Sequence, residues 1–267
     1  MVELSIEDRV SLVEAVEDHA YLLAEISKRA FESDVEVGAE EPGGPPGYDS
    51  PEFQIRALDW ADYYTILLDD GIVGGLIIGS VNEEHRIMER IFVDPDHQRR
   101  GIGTRSMELL EALYPDLKLW TLGSPEWNQR TKAFYEKQGY VQVGWELGDP
   151  NWRGRWYEKV MTPDDPYTMT PIDRLRDDMR NLDVAGRVLE KGHARMVRSR
   201  RRYGETLSVA NAAIGDDSGR VVLVLWNEQI RQAEVGDRLR VENGYTSTYQ
   251  GVLQLNAGRA GKLVKLI

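Results

Sequence analysis

Between Ile91 and Thr104 the chain reads IFVDPDHQRRGIGT. An apolar strand end turns at Asp94-Pro95, and Gln98-Arg99-Arg100-Gly101-Ile102-Gly103 then runs into a helical pattern. Glycines at 101 and 103 leave successive backbone N–H groups uncovered at a helix start. With Arg99 and Arg100 they make an anion cradle suited to a pyrophosphate. Upstream, His85–Val93 reads as a strand with Ile87, Glu89, Ile91 and Val93 on one face and Met88, Arg90 and Phe92 on the other. Both faces are apolar but for one charge each, as in a strand covered on both sides. Glu89 therefore needs a reason: a general base acting directly or through water, or an ion pair with a neighbouring strand. Further on comes NQRTKAFYEKQGY, Asn128 to Tyr140, on a helical period.

The 91–104 segment resembles the acetyl-CoA signature of the GCN5-related N-acetyltransferase (GNAT) superfamily, Q/R-x-x-G-x-G/A after a V-D-P strand end. Asn128–Tyr140 resembles the second motif of that family, N-x-x-A-x-x-F-Y-x-x-x-G-F/Y, with Thr131 where Ala is usual. The resemblance covers residues 1–162. It implies acetyl-CoA as cosubstrate, no metal, and direct transfer to an amine in a ternary complex without an acyl-enzyme. The implied cofactor contacts are Ile91, Phe92, Val93, Gln98, Arg99, Arg100, Gly101, Ile102, Gly103, Thr104, Asn128 and Tyr135. By family position the Val93 backbone N–H polarises the thioester carbonyl, Asn128 bonds the pantetheine arm, and Tyr135 protonates the departing sulfur. Some members carry their catalytic Glu at the position of Ile87, so Glu89 matches only approximately. The 38–50 segment, opening GAEEPGGPPG, lies where the family builds part of its acceptor site, and Glu40, Glu41 and Asp49 there suit a cationic amine.

The elements that must position these groups follow from periodicity and turn residues. Leu4–Ile6 is a strand candidate. Val10, Val13, Val16, Ala20, Leu23, Ile26 and Ala30 predict one long helix from Glu7 to Phe31. A short helix is expected at Glu52–Ala61, and Asp69-Asp70-Gly71 joins strands Tyr63–Leu68 and Ile72–Ile78 as a hairpin. Gly103–Tyr114 and Gln129–Gln138 read as helices, and Leu117–Leu122, Tyr140–Val143 and Arg155–Val160 as strands. This is a mixed-sheet α/β order.

Residues 163–171, within the proline-rich TPDDPYTMTP, read as a linker to a second domain at 172–267. Strands are expected at Asp183–Leu189, Glu205–Ala213, Val221–Trp226, Arg238–Tyr245 and Leu253–Asn256, which fits an all-β five-stranded OB barrel. IGDDSGRV, LVLW, VGD, VENGY and QLNAG, running from Ile214 to Gly258, together resemble the archaeal single-stranded DNA-binding protein family. That resemblance implies base stacking on Trp226, Tyr245 and Tyr249, with single-stranded DNA or RNA as partner. Arg195, Arg198, Arg200, Arg201 and Arg202 read as a phosphate-contacting arm or as an exposed loop.

Composition agrees with two modules. The 267 residues are 41% hydrophobic and 29% charged, which excludes a disordered or collagen-like chain. From Thr170 onward 17 Lys and Arg face 12 Asp and Glu, whereas the preceding residues carry 16 against 33. The absence of cysteine excludes disulfides, thiol nucleophiles and Cys-based metal sites, and four histidines make a structural metal site unexpected. With no apolar run long enough for a bilayer, a soluble, cytoplasmic protein without a membrane partner is expected. Three functions fit. One is an acetyltransferase brought by its OB domain to protein or nucleic-acid amines. Another is a polyamine-type acetyltransferase whose OB domain mediates assembly. The third is a nucleic-acid-binding protein that senses acetyl-CoA.

Overall fold

The computed structural model describes residues 5–150, 153–198, 206–258 and 261–267. Two compact units emerge: one of residues up to Ser80, Glu84–Val141 and Lys159–Thr162, the other of Val81–Glu83, Gln142–Glu158 and Pro163–Ile267.

The first unit runs α1 (Ile6–Arg9), β1 (Val10–Glu14), α2 (Ala20–Glu32), α3 (Pro51–Ala57), β2 (Asp62–Leu68), β3 (Gly71–Ser80), β4 (His85–Val93), α4 (Ile102–Leu113), β5 (Leu119–Pro125) and α5 (Gln129–Lys137). Strands β1 to β4 pair antiparallel in sequence order, and β5 joins β4 in parallel. The β2–β3 hairpin turns at Asp69, which adopts φ 55°. Strand β3 approaches β4 so closely at Gly74 that a Cβ there would fall 2.2 Å from the Phe92 carbonyl oxygen. Leu23, Ile26 and Ala30 of α2 bury against Tyr63, Ile77 and Phe92. Ser50 caps α3 by accepting from the Phe53 N–H at 3.2 Å, with Pro51 at the first helical position.

Two expectations are corrected. The helix predicted over 7–31 is helical only at its ends. Val10–Glu14 instead forms an edge strand on β2, from Val10↔Leu68 to Glu14↔Tyr64, and Ile6 opens a helical turn instead of closing a strand. Val10, Val13 and Val16 matched a helical stripe by spacing, but β-branched side chains favour the extended form. Val13 and Val16 are exposed, and the buried stripe begins at Ala20. The second correction concerns β4. Its register passes from Ile78↔Met88 to Ile77↔Arg90, so Glu89 is the extra residue of a β-bulge. Glu89 and Arg90 both oppose Ile77, which breaks the simple alternation that put Glu89 with Ile91 and Val93.

The second unit contains β6 (Val141–Glu146, from its second residue), β7 (Gly154–Val160, up to Glu158), β8 (Leu182–Lys191), β9 (Arg195–Arg198), β10 (Thr206–Gly215), β11 (Arg220–Trp226), α6 (Glu228–Gln232), β12 (Arg238–Tyr249), β13 (Val252–Asn256) and β14 (Lys262–Leu266). Antiparallel pairs join β8 to β10, β10 to β11, β13 to β12 and β12 to β8, and a parallel pair joins β11 to β13. Val184, Val188, Ala212, Ile214, Leu223, Leu225, Leu239, Val241 and Leu255 fill the core between them. The expected five strands are present, and β9 and β14 are additions. Residues 142–158 group with this unit, unlike a boundary at 162, because β6 pairs with β14 through Glu146↔Val264 and Gly144↔Leu266. Gly144 is needed there, since a Cβ would lie 2.3 Å from the Lys265 carbonyl oxygen. A fully buried Arg240 bonds Asp183 at 2.6 and 2.9 Å, Glu242 at 3.1 Å and Glu158 of β7 at 3.2 Å. Trp156 of β7 donates to Glu242 at 2.8 Å.

Candidate functional site

In the first unit the cradle is built at the start of α4. Arg99 (φ 59°) and Gly101 (φ 88°) both take the left-handed conformation just before Ile102. Residues of alternating hand can turn successive N–H groups to one side, an arrangement compatible with an anion, and the twelve-residue helix that follows adds the positive end of its dipole. A left-handed arginine costs roughly 1 kcal/mol or more, and such strain is retained where a site needs it. Arg99 and Arg100 are exposed. Gly103 serves packing as well: a Cβ there would touch the Phe134 ring at 3.4 Å, next to Tyr135. Gln138, the residue that caps the C-terminus of α5, donates to the Thr104 hydroxyl at 3.0 Å.

Parallel pairing of β4 with β5 ends at Met88↔Leu122, one residue before the bulge. Beyond it, the Gln98 side-chain amide donates to the Val93 carbonyl at 2.8 Å. Gln98 in turn accepts from Arg130 at 3.1 Å, and Arg130 pairs with Asp34 at 2.5 Å. The loop before α4 is thus tied to the segment after α2. Burial pushes the Asp34 carboxyl up, and Arg130 partly offsets this. Asn128 is buried as the N-cap of α5, its side-chain carbonyl accepting from Thr131 N at 3.0 Å. Thr131, the departure from the motif, bonds Ser124 at 2.7 Å, which a methyl group could not do. Tyr135 is buried edge-on to Phe134 and Tyr140.

Around the bulge, the Glu89 side chain lies over Gly79, where a Cβ would meet its carboxylate at 3.2 Å. Arg90 stacks on Phe53 at 4.1 Å and donates to the Pro46 carbonyl at 2.7 Å. The 38–50 segment therefore covers this part of the strand. Tyr63 donates to the buried Gln54 at 2.6 Å. Glu40, Glu41 and Asp49 are exposed. Sequence reasoning missed Asp34, Gln54, Tyr63, Arg90 and Arg130 as site groups, because the fold alone brings them to the loop and the strand.

In the second unit the pairing register decides which side chains share a face. The pairs Tyr245↔Asn256, Ser247↔Gln254, Tyr249↔Val252 and Val222↔Gln254 put Tyr245, Tyr249 and Trp226 on one side of the sheet. Leu223, Leu225 and Leu255 point the other way, into the core. Trp226 and Tyr249 are 38% and 48% exposed, open enough to take a base. Tyr245 is half-buried, and a Cβ at Gly258 would fall 2.9 Å from its ring. Arg195, Asn211, Tyr249, Gln250, Val252 and Gln254 line a depression of about 390 Å³. Arg198 ends β9, exposed, whereas Arg200, Arg201 and Arg202 lie outside the described residues.

Residues 22–140 match the Acetyltransferase (GNAT) family, and residues 176–265 match the family described as single-stranded DNA binding protein Ssb-like, OB fold. The chain thus carries one segment that matches the GNAT family and a second that matches the Ssb-like OB fold. The OB-fold domain is similar to the single-stranded DNA binding protein Ssb of Saccharolobus solfataricus, 31% identical over 94 residues, which are 35% of this chain and 62% of that protein. An uncharacterized protein of Bacillus subtilis, YrkN, is 34% identical over 103 residues, 38% of this chain and 55% of that one. The chain thus spans less than two thirds of the length of either relative. Among solved structures, the PaiA N-acetyltransferase of Thermoplasma acidophilum in complex with coenzyme A aligns over 57% of this chain and 98% of its own, at 14% identity and a TM-score of 0.48. No described helix of the GNAT-OB chain is long and apolar enough to cross a membrane.

Proposed function

We propose that this chain is an acetyl-CoA-dependent N-acetyltransferase whose OB unit binds single-stranded DNA or RNA and brings the enzyme to acceptors held there. The observation that carries the transferase reading is the left-handed pair Arg99 and Gly101 opening α4, a strained arrangement that suits a pyrophosphate. Acetyl-CoA supplies an acetyl thioester.

In this reading Arg99, Arg100, Gly101, Ile102, Gly103 and Thr104 hold the diphosphate, and Ile91, Phe92, Val93, Gln98 and Asn128 line the pantetheine arm. Glu89 takes the proton of the acceptor ammonium, directly or through water, and the Val93 N–H polarises the carbonyl. As the amine nitrogen bonds to the acetyl carbon and the C–S bond breaks, Tyr135 would give its proton to the sulfur, and the proton then lost by the amide nitrogen would restore the phenol.

For the OB unit, the strand pairings support a closed five-stranded barrel, and the shared face of Trp226, Tyr245 and Tyr249 with Arg195, which the register sets level with Trp226, supports sequence-tolerant stacking. The test is release of free thiol from acetyl-CoA with a panel of amines, run beside calorimetric binding of acetyl-CoA. Tyr135→Phe is expected to lose turnover while binding the cosubstrate normally. Equal turnover would remove Tyr135 as the acid.

A further inference from the structure

Beside the candidate base, the first unit holds a half-buried guanidinium with a donor to spare. Arg90 spends its face on Phe53 and one amino group on the Pro46 carbonyl, and its Nη1 is buried without a partner. Nearby, Gln54 is fully buried with its oxygen taken by Tyr63 and its amide nitrogen likewise unpartnered. Burial lowers the pKa of Arg90 to about 10, with Glu89 and Tyr63 opposing the shift, so the group stays cationic at neutral pH. A purely structural stack on Phe53 needs no charge. Arg90 is half-buried, but its Nη1 is shut off from solvent, and a buried N–H of a cation is costly unless an acceptor completes it. The bulge sets this cation next to Glu89, so one stretch of β4 offers a carboxylate and a guanidinium side by side.

We propose that the acceptor taken by this site carries a carboxylate close to its reacting amine, the ammonium going to Glu89 and the carboxylate to Arg90. The inference rests on the transferase reading and names its substrate class. A diamine would bring a second cation against Arg90, so the pair selects against polyamines by repulsion as well as for zwitterions by attraction. Pro46 belongs to the Gly- and Pro-rich 38–50 segment. Displacing its carbonyl frees both amino groups of Arg90 as a fork for a bidentate carboxylate.

The experiment compares kcat/KM of the full chain for matched acceptors: alanine against alaninamide, an N-terminal Asp dipeptide against its Asn counterpart, and putrescine. The carboxylate member of at least one pair is expected to win by about ten-fold or more, the worth of one charge-assisted hydrogen bond. Which pair shows it tells a free amino acid from a peptide end. Arg90→Met is expected to bring the two members of that pair within about two-fold through KM, and Arg90→Lys to keep part of the preference. Should Arg90→Met fail to fold, the wild-type comparison and the Lys variant decide. Equal or better use of the carboxamides or putrescine overturns the inference and leaves the transferase reading standing. Binding of acetyl-CoA with no transfer to any of these amines overturns both.

Discussion

Replacing Arg240 by methionine removes a cation bonded to three carboxylates of the OB unit. Asp183 and Glu242 are fully buried, and Arg240 meets them at 2.6–3.1 Å, with Glu158 of β7 at 3.2 Å. Breaking such a cluster by deleting one partner costs about 3–5 kcal/mol, because the remaining charges stay buried without compensation. That is a factor of roughly 10²–10³ or more in the population of opened OB unit. The expected loss depends on pH. Uncompensated buried carboxylates bind protons more tightly in the folded variant than in the unfolded chain, so their penalty is complete at neutral pH. It shrinks as pH falls toward the ordinary carboxylate range near about 4. Guanidinium unfolding followed by fluorescence, with hydrogen exchange of β8 and β12 amides, reads both effects at pH 7.5 and 5. The triple variant Arg240→Met, Asp183→Leu, Glu242→Gln keeps an acceptor for Trp156 and is expected to recover most of the loss. A single-variant loss under about 1 kcal/mol, or one unchanged by pH, would refute the claim that this network holds β7, β8 and β12 together.

Other perturbations separate the two proposed activities. Tyr135→Phe should lower turnover by about 10²-fold or more with acetyl-CoA affinity unchanged, checked by thiol release and calorimetry. Trp226→Ala and Tyr249→Ala should each weaken single-stranded oligonucleotide binding by about 1–3 kcal/mol with an unaltered salt slope, while Arg195→Ala should reduce that slope by about 1. Gly74→Ala forces a Cβ to within 2.2 Å of the Phe92 carbonyl oxygen, a backbone clash expected to cost about 1–3 kcal/mol in thermal unfolding.

Local signals were legible and pairing-dependent ones were not. Strand β4, the β2–β3 hairpin and the start of α4 follow from apolar runs, Asp-Gly turns and glycines that act within a few residues of themselves. The left-handed turn before α4 was readable for the same reason, since Gln98–Thr104 is one continuous segment. Strand β1 was hidden because three valines at helical spacing also fit an extended edge, and only its pairing with β2 decides between them. The bulge at Glu89 is a property of two strands in register, so no pattern in β4 announces it. Arg130 meets Asp34 across 96 residues, and Arg90 meets Pro46 across 44. Strand β9 was obscured by its arginines, whose charge suggests a loop until β10 supplies the ladder.

The central claim is that one chain couples amine acetylation to single-strand binding. The direct measurement is the initial rate of acetylation of one peptide, free or attached to a single-stranded oligonucleotide, at concentrations well below KM. Tethering should raise the rate by at least about ten-fold, and Trp226→Ala with Tyr249→Ala, or excess free oligonucleotide, should abolish the gain. Equal rates for the free and attached peptide would contradict the account.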